Sequence, residues 1–214
     1  MGVEIYIPVK EKAGKPLTEN EKSRGVFAAI GSRRSIRNYK NTPIQEDDLR
    51  KIIQAGILAP SGMNRQPWKF YVIRGEKRNE MVIHLLEGLE NREKEGVSTS
   101  GARHSFDVMA QAPVTIFIYR PNRISPWLAA SMDQHFRDLV DVQSIGAAIE
   151  NMILTAEDMG IGSLWVCDVF SARQEIDYWL GEKNEMIAAV CFGYADEHPV
   201  ARKRRPAEET LVWL

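Results

Sequence analysis

Six consecutive residues, Val114 to Tyr119 (VTIFIY), carry no charged side chain and read as a β-strand. A run so uniformly apolar offers no solvent face, so both sides of that strand must be covered. The flanking sequence supplies covers. From Ile44 to Ala59 the residues Leu49, Ile52, Ile53, Gly56 and Ile57 recur at helical spacing and stop before Pro60, whose ring disfavours helix in the residue preceding it. Met81, Val82, Leu85, Leu86 and Leu89 mark another helix. Leu139 to Met159 reads as one long helix, with Ile145, Ile149, Met152, Ile153 and Ala156 on its buried stripe and a small trio, Gly146, Ala147 and Ala148, open to close approach by another helix. Lys69 to Arg74 (KFYVIR), Ser163 to Val166 and Ile187 to Phe192 are further strands. Two capping-box patterns predict helix starts. Thr18 with Glu21 opens a helix carrying Val26, Phe27 and Ile30 and ending near Gly31; Ser171 with Gln174 opens a short one ending at Gly181. Gly96 to Ser105 is polar and lacks aromatics, so it reads as a mobile surface loop. Helices and short buried strands without strict βαβ alternation predict an α+β fold, with helices around a central sheet.

The 214 residues suit a single domain, since a chain of this size buries roughly 70% of its unfolded surface without metal or disulfide staples. No repeat or linker divides it. Twenty-eight basic against 29 acidic side chains leave a net charge of -1, which argues against a general nucleic-acid binder. Cys167 and Cys191 form no CxxC pair, making a reducing cytoplasm the simplest setting. Neither a signal-peptide core nor a membrane-spanning run is expected. Tyr6 occupies the position where N-myristoylation at Gly2 wants Ser or Thr.

Several chemistries fail on spacing. His84, His104, His135 and His198 are scattered, so no metal is expected. Gly160-Ile161-Gly162 lacks the rest of a dinucleotide fingerprint and follows a helix, and no phosphate-binding P-loop occurs. Ser61 and Ser163 lie outside any nucleophile elbow. Cys167 has no sequence neighbour to activate it and reads as a small buried residue at a strand end.

Three polar clusters remain. Arg33-Arg34-Ser35-Ile36-Arg37-Asn38-Tyr39 sets three guanidiniums within five residues. A bound anion would relieve their repulsion; a solvated turn, or ion pairs with Glu46, Asp47 and Asp48, would do so as well. Pro60-Ser61-Gly62-Met63-Asn64-Arg65-Gln66-Pro67-Trp68 is a rigid loop. It offers groups able to read the polar edge of a planar heterocycle, or it is simply a tight crossover anchored by Trp68. Arg202-Lys203-Arg204-Arg205 is solvated charge, a nucleic-acid patch, or a second anion clamp converging on the same phosphate as the first.

Jointly, RRSIRNY at Arg33 to Tyr39, APSGMNRQPWKFYVI at Ala59 to Ile73 and KRR at Lys203 to Arg205 resemble the nitroreductase family of FMN-dependent flavoproteins, in order and spacing, over about residues 25 to 206. The resemblance implies a mainly antiparallel sheet surrounded by helices in an intertwined homodimer. Residues 1–17 would form an N-terminal arm and 207–214 a C-terminal extension. It further implies that Arg33, Arg34, Ser35 and Ile36 hold the FMN phosphate segment, with Arg37 by the pyrimidine edge and Lys203 and Arg205 completing the phosphate site. Pro60, Ser61, Gly62 and Asn64 would reach FMN from the other subunit, Leu164, Trp165, Val166 and Cys167 would line the flavin N5 side, and the helix around Gly146 would be the dimer contact. Where some members place Asn and Lys against the flavin, this chain has Ser105 and Val108. The loop from Gly96 is implied to form part of a substrate lid, and no Tyr between Tyr71 and Tyr119 matches the lid of deiodinating members.

The implied activity is ping-pong transfer from NADH or NADPH through flavin N5 to a nitroaromatic, quinone or similar acceptor, with no protein acid or base assigned. The alternatives are C=C reduction, dehydrogenation or dehalogenation on the same fold, a non-catalytic FMN sensor, and, ranked last, nucleic-acid binding. Neither a membrane nor a nucleic acid is an expected partner. The acceptor and the choice of NADH or NADPH are not encoded in these motifs.

Overall fold

The computed structural model describes residues 25–121 and 131–214. The elements in order are α1 (Val26–Ser32), α2 (Glu46–Ile57), β1 (Lys69–Arg74), α3 (Lys77–Lys94), α4 (Ser100–Gln111), β2 (Val114–Arg120), α5 (Met132–Asp158), β3 (Gly162–Val166), α6 (Arg173–Leu180) and β4 (Glu185–Gly193), with short 3-10 turns at Gly62–Asn64, Asp168–Ala172 and Ala207–Glu209. The four strands form one antiparallel sheet in the order β1-β2-β4-β3.

β2 shows why the apolar run needed two covers. All seven of its residues are buried, and side chains on a strand alternate between faces. Ile116 and Ile118 pack with Leu49 and Ile52 of α2 and Ile145, Ile149 and Met152 of α5. Phe117 and Tyr119 pack on the other side with Met81, Leu85 and Leu89 of α3, Phe106 and Met109 of α4 and Ile176 of α6.

Close approaches use small residues. A Cβ on Gly56 would sit 2.7 Å from Met152 Cγ, so α2 lies tight on α5. On the other face a Cβ on Gly88 would meet Ala172 Cβ at 2.4 Å and its Cα at 2.5 Å. Gly88→Ala is therefore expected to destabilise, because overpacking costs about 1–3 kcal/mol and outweighs the gain of about 1 kcal/mol in helix propensity. A thermal melt checks it, each kcal/mol of net loss lowering Tm by roughly 2–4 °C.

Buried charge sits at one end of the sheet. Arg120, 2% exposed, pairs through Nη1 with Asp138 of α5 at 2.8 Å and through Nη2 with Glu185 of β4, while its Nε has no partner. Three elements are thus tied together by one guanidinium.

Several expectations are corrected. Gly96 to Ser105 is not all loop: α4 begins at Ser100, because Ala102, Phe106 and Met109 form a buried stripe behind the polar Gly101, Arg103 and His104. The long helix starts at Met132, well before Leu139; Ser131 caps it by accepting from Gln134 N at 3.2 Å, and its first turns expose Met132 and Phe136 instead of burying them. Ser171 and Gln174 form no capping box, since a 3-10 turn precedes α6 and Ala172 is its N-cap; the helix does end at Gly181, in the left-handed region. α1 exists, but it buries only Ala29 and leaves Val26, Phe27 and Ile30 exposed. The Thr18–Glu21 box and the arm at 1–17 lie outside the described residues. Cys167 is exposed, not buried, because β3 ends one residue earlier.

Candidate cofactor site

Arg33 to Tyr39 leave α1 and run along the edge strand β3. Ser35 forms a parallel bridge with Ser163, whose carbonyl accepts from Ile36 N at 2.9 Å. Ile36 is buried against Gly162, where a Cβ would lie 2.7 Å from Ile36 Cγ1. Beyond it the chain pairs with the segment after β4: Tyr39 bridges Ala195, Lys40 N donates to Tyr194 O at 2.8 Å, and Asp196 N donates to Asn38 O at 2.9 Å. Gly193 lets the Tyr39 ring pass, its hypothetical Cβ lying 2.7 Å from Tyr39 Cδ1. Burial pushes the Tyr39 phenol well up, and its hydroxyl has no partner.

The three guanidiniums differ. Nη1 of Arg34 donates to the carbonyls of Gly31, Ser32 and Arg33, each at 2.9 Å, capping carbonyls that a helix end leaves open. Its Nε is buried and unpartnered. Nη1 of Arg37 reaches Ser35 O at 3.1 Å. Among the described residues no carboxylate forms an ion pair with Arg33, Arg34 or Arg37, and the acidic run answers other cations: Glu46 pairs with Arg50 and Arg74, Asp48 with Lys51. The ion-pair reading of the first cluster is thereby set aside. Unneutralised guanidiniums beside a buried, unanswered N–H fit an external anion.

Leu164 and Val166 of β3 are buried in the sheet, whereas Trp165 turns outward towards Gly146 of α5, whose Cβ position lies 3.9 Å from the indole. Partial burial, and then the Asp168 carboxylate, push the Cys167 thiol up, so it is not an activated nucleophile. Ser105 Oγ donates to Asp168 at 2.9 Å, fastening α4 to this strand end.

The second loop is pinned to α5. Ser61 Oγ accepts from Gln66 N at 3.0 Å, Gly62 N donates to Ser144 Oγ at 3.3 Å, and Arg65 bonds Asp141 at 2.8 Å. A Cβ on Gly62 would lie 2.3 Å from Val140 Cγ1. Met63, Asn64 and Gln66 hold φ of 55°, 53° and 49°, and residues bearing a Cβ accept that region only when the surroundings impose it. Pro60 and Asn64 face solvent, and no hydrogen bond joins them to Arg33–Arg37 within one chain. Lys203 and Arg205 are likewise exposed, and no hydrogen bond or ion pair among the described residues links them to the first loop. Two clefts, about 320 Å³ between α1, α2 and α5 and about 680 Å³ at the β1–α3 turn, are lined by neither basic cluster.

The profile of the nitroreductase family matches residues 30–194. The chain belongs to that family. A protein of Archaeoglobus fulgidus, a candidate NADH dehydrogenase/NAD(P)H nitroreductase, is 33% identical over 137 residues; the match spans 64% of either chain, just under two thirds. The NADPH-flavin oxidoreductase of Vibrio harveyi is 27% identical over 182 residues, covering 83% of this nitroreductase-family chain and 69% of that one. A candidate nitroreductase from Desulfovibrio desulfuricans, solved in complex with FMN, superimposes with a TM-score of 0.68 at 25% identity, over 90% of this chain and 98% of that one.

One carboxylate was not foreseen. Glu197 contacts the backbone of the first loop; a lone acid in irregular chain carries no periodic signal, and only the tertiary pairing of 37–40 with 194–197 reveals it.

Proposed function

We propose that this nitroreductase-family chain is a homodimeric FMN-dependent oxidoreductase. It would pass reducing equivalents from NADH or NADPH to a nitroaromatic, quinone or similar small acceptor in two half-reactions. The observation that carries the reading is the loop at Arg33–Arg37: basic, bonded to β3, and with none of its three guanidiniums ion-paired to a carboxylate among the described residues. When bound, FMN supplies the hydride chemistry at N5.

The residues supply the rest. Arg33 and Ser35, with Lys203 and Arg205, would hold the phosphate. Arg37 would keep a positive charge beside the pyrimidine edge, and the backbone of 164–167 would face the N5 side of the flavin. Arg34 serves the loop through the carbonyls it caps. No side chain is given a proton to move. A second copy is supported by the apolar side chains that α5 and its neighbours leave exposed, Phe136, Leu139, Val142, Met63 and Trp165, and by the outward-facing loop at Pro60–Asn64; its contribution would complete the site. Among the described residues no helix is long and apolar enough to cross a membrane.

A visible spectrum tests the assignment. The purified protein is expected to show a flavin band that anaerobic NADH or NADPH bleaches and that added quinone or nitroaromatic restores, and sedimentation is expected to give a dimer. Bound FMN that neither nucleotide bleaches would point to a non-catalytic flavin sensor. Protein that takes up no FMN would sink the reading.

A further inference from the structure

Glu197 lies four residues beyond β4 and directs its carboxylate at the backbone of the first loop. Its Oε1 accepts from Arg37 N and, at 3.1 Å, from Asn38 N; its Oε2 accepts from Asn38 Nδ2 at 3.3 Å. Two successive backbone N–H groups converging on one oxygen make a small anion nest. Here the protein fills that nest itself.

Two consequences follow from where the carboxylate is spent. It forms no ion pair with the Arg37 guanidinium, whose Nη1 bonds Ser35 O instead, so Glu197 fixes the Arg37 backbone without cancelling its charge. It also tethers the start of the basic tail. Lys203 is six residues further on and Arg205 eight, a leash of at most roughly 20–30 Å at full extension. A leash anchored at one end raises the effective concentration of its charges near the anchor.

We propose that Glu197 is a positioning residue for the cofactor, clasping the Arg37–Asn38 backbone to the segment that delivers Lys203 and Arg205. This rests on the FMN reading above. The experiment titrates apoprotein with FMN by flavin fluorescence quenching and, without flavin, follows amide hydrogen exchange in the peptide spanning 33–40. Glu197→Ala is expected to weaken FMN binding about tenfold or more, since the charge-assisted bonds holding the loop are lost, and to speed exchange at Arg37 and Asn38. Formate, small enough to enter the emptied nest, should restore part of both. Glu197→Gln keeps an acceptor oxygen and should fall between wild type and Glu197→Ala, without formate rescue.

If the alanine variant does not fold, Glu197→Asp decides. Its carboxylate is drawn back by one methylene and should bind FMN worse than Glu197→Gln does; the reverse order would show that charge, not the clasp, matters and would overturn the proposal. Wild-type FMN affinity and unchanged exchange in Glu197→Ala overturn it alone, leaving the flavin reading intact. Wild-type apoprotein that takes up no FMN overturns both.

Discussion

Apoprotein carrying alanine at both Arg33 and Arg205 is expected to bind FMN at least about 100-fold more weakly than wild type, because charge-assisted bonds to a phosphate are among the strongest single polar contacts. Each single variant should lose roughly tenfold or more on the same grounds. The pair is informative because the two residues are 172 positions apart and no hydrogen bond or ion pair joins them within one chain. Substitutions at independent sites add in free energy, whereas two that act on a common partner do not. A double loss that departs from the product of the two single losses would therefore mark a single shared anion. Arg33→Lys should recover only part of the loss, because an ammonium cannot present the planar fork that matches phosphate oxygens. Raising the salt concentration should weaken wild-type binding more than that of the double variant. The check is fluorescence titration at two ionic strengths. Wild-type flavin content in both single variants would remove the phosphate assignment for Arg33 and Arg205.

Arg34→Ala is a useful contrast within the same loop. Its Nη1 is committed to the last carbonyls of α1, so its loss would act on the helix end first. That division of labour was invisible in the string of three arginines, which reads as three equal anion ligands. Which arginine caps and which stays free depends on where α1 stops, at Ser32 with Arg33 as its C-cap.

The sheet was legible for a simple reason. KFYVIR and VTIFIY are short, apolar and bounded by breakers, and the observed β1 coincides with the first while β2 extends the second by one residue. Signals failed where an element's local face is polar. The first turn of α4 shows Gly101, Arg103 and His104 to solvent and hides only Ala102, so its sequence looks like a loop. The start of α5 fails in the opposite sense: Met132, Phe136 and Leu139 are apolar but unburied, so they form no stripe against this chain's own core. Their exposure is what a second copy would relieve. Cys167 was misplaced because a thiol next to a buried strand looks apolar, whereas the pleat ends at Val166. Glu197 gave no signal at all, since its meaning lies in two backbone N–H groups 159 and 160 residues away.

Arg120→Ala should be the most destabilising single change in the described chain, by about 3–5 kcal/mol, because removing one partner leaves uncompensated buried charge. The guanidinium is 2% exposed and answers both Glu185 and Asp138; without it, two carboxylates stay in place with their cation gone. A loss of that size is a large share of the 5–15 kcal/mol that typically holds a domain folded. Urea unfolding should therefore show a much lower midpoint at nearly unchanged slope. Replacing Arg120, Glu185 and Asp138 together by apolar residues of similar volume should recover most of it, since the desolvation of all three is then avoided. The site supplies the control. Glu185 opens β4, whereas the loop at Arg33–Tyr39 is paired around the other end of that strand, through Ser163 opposite Phe192 and Ala195 just beyond Gly193. Folded Arg120→Ala protein at low temperature is therefore expected to keep wild-type FMN affinity while melting far earlier. A loss of unfolding free energy of less than about 1 kcal/mol would mean that the triad contributes no more than an exposed ion pair does.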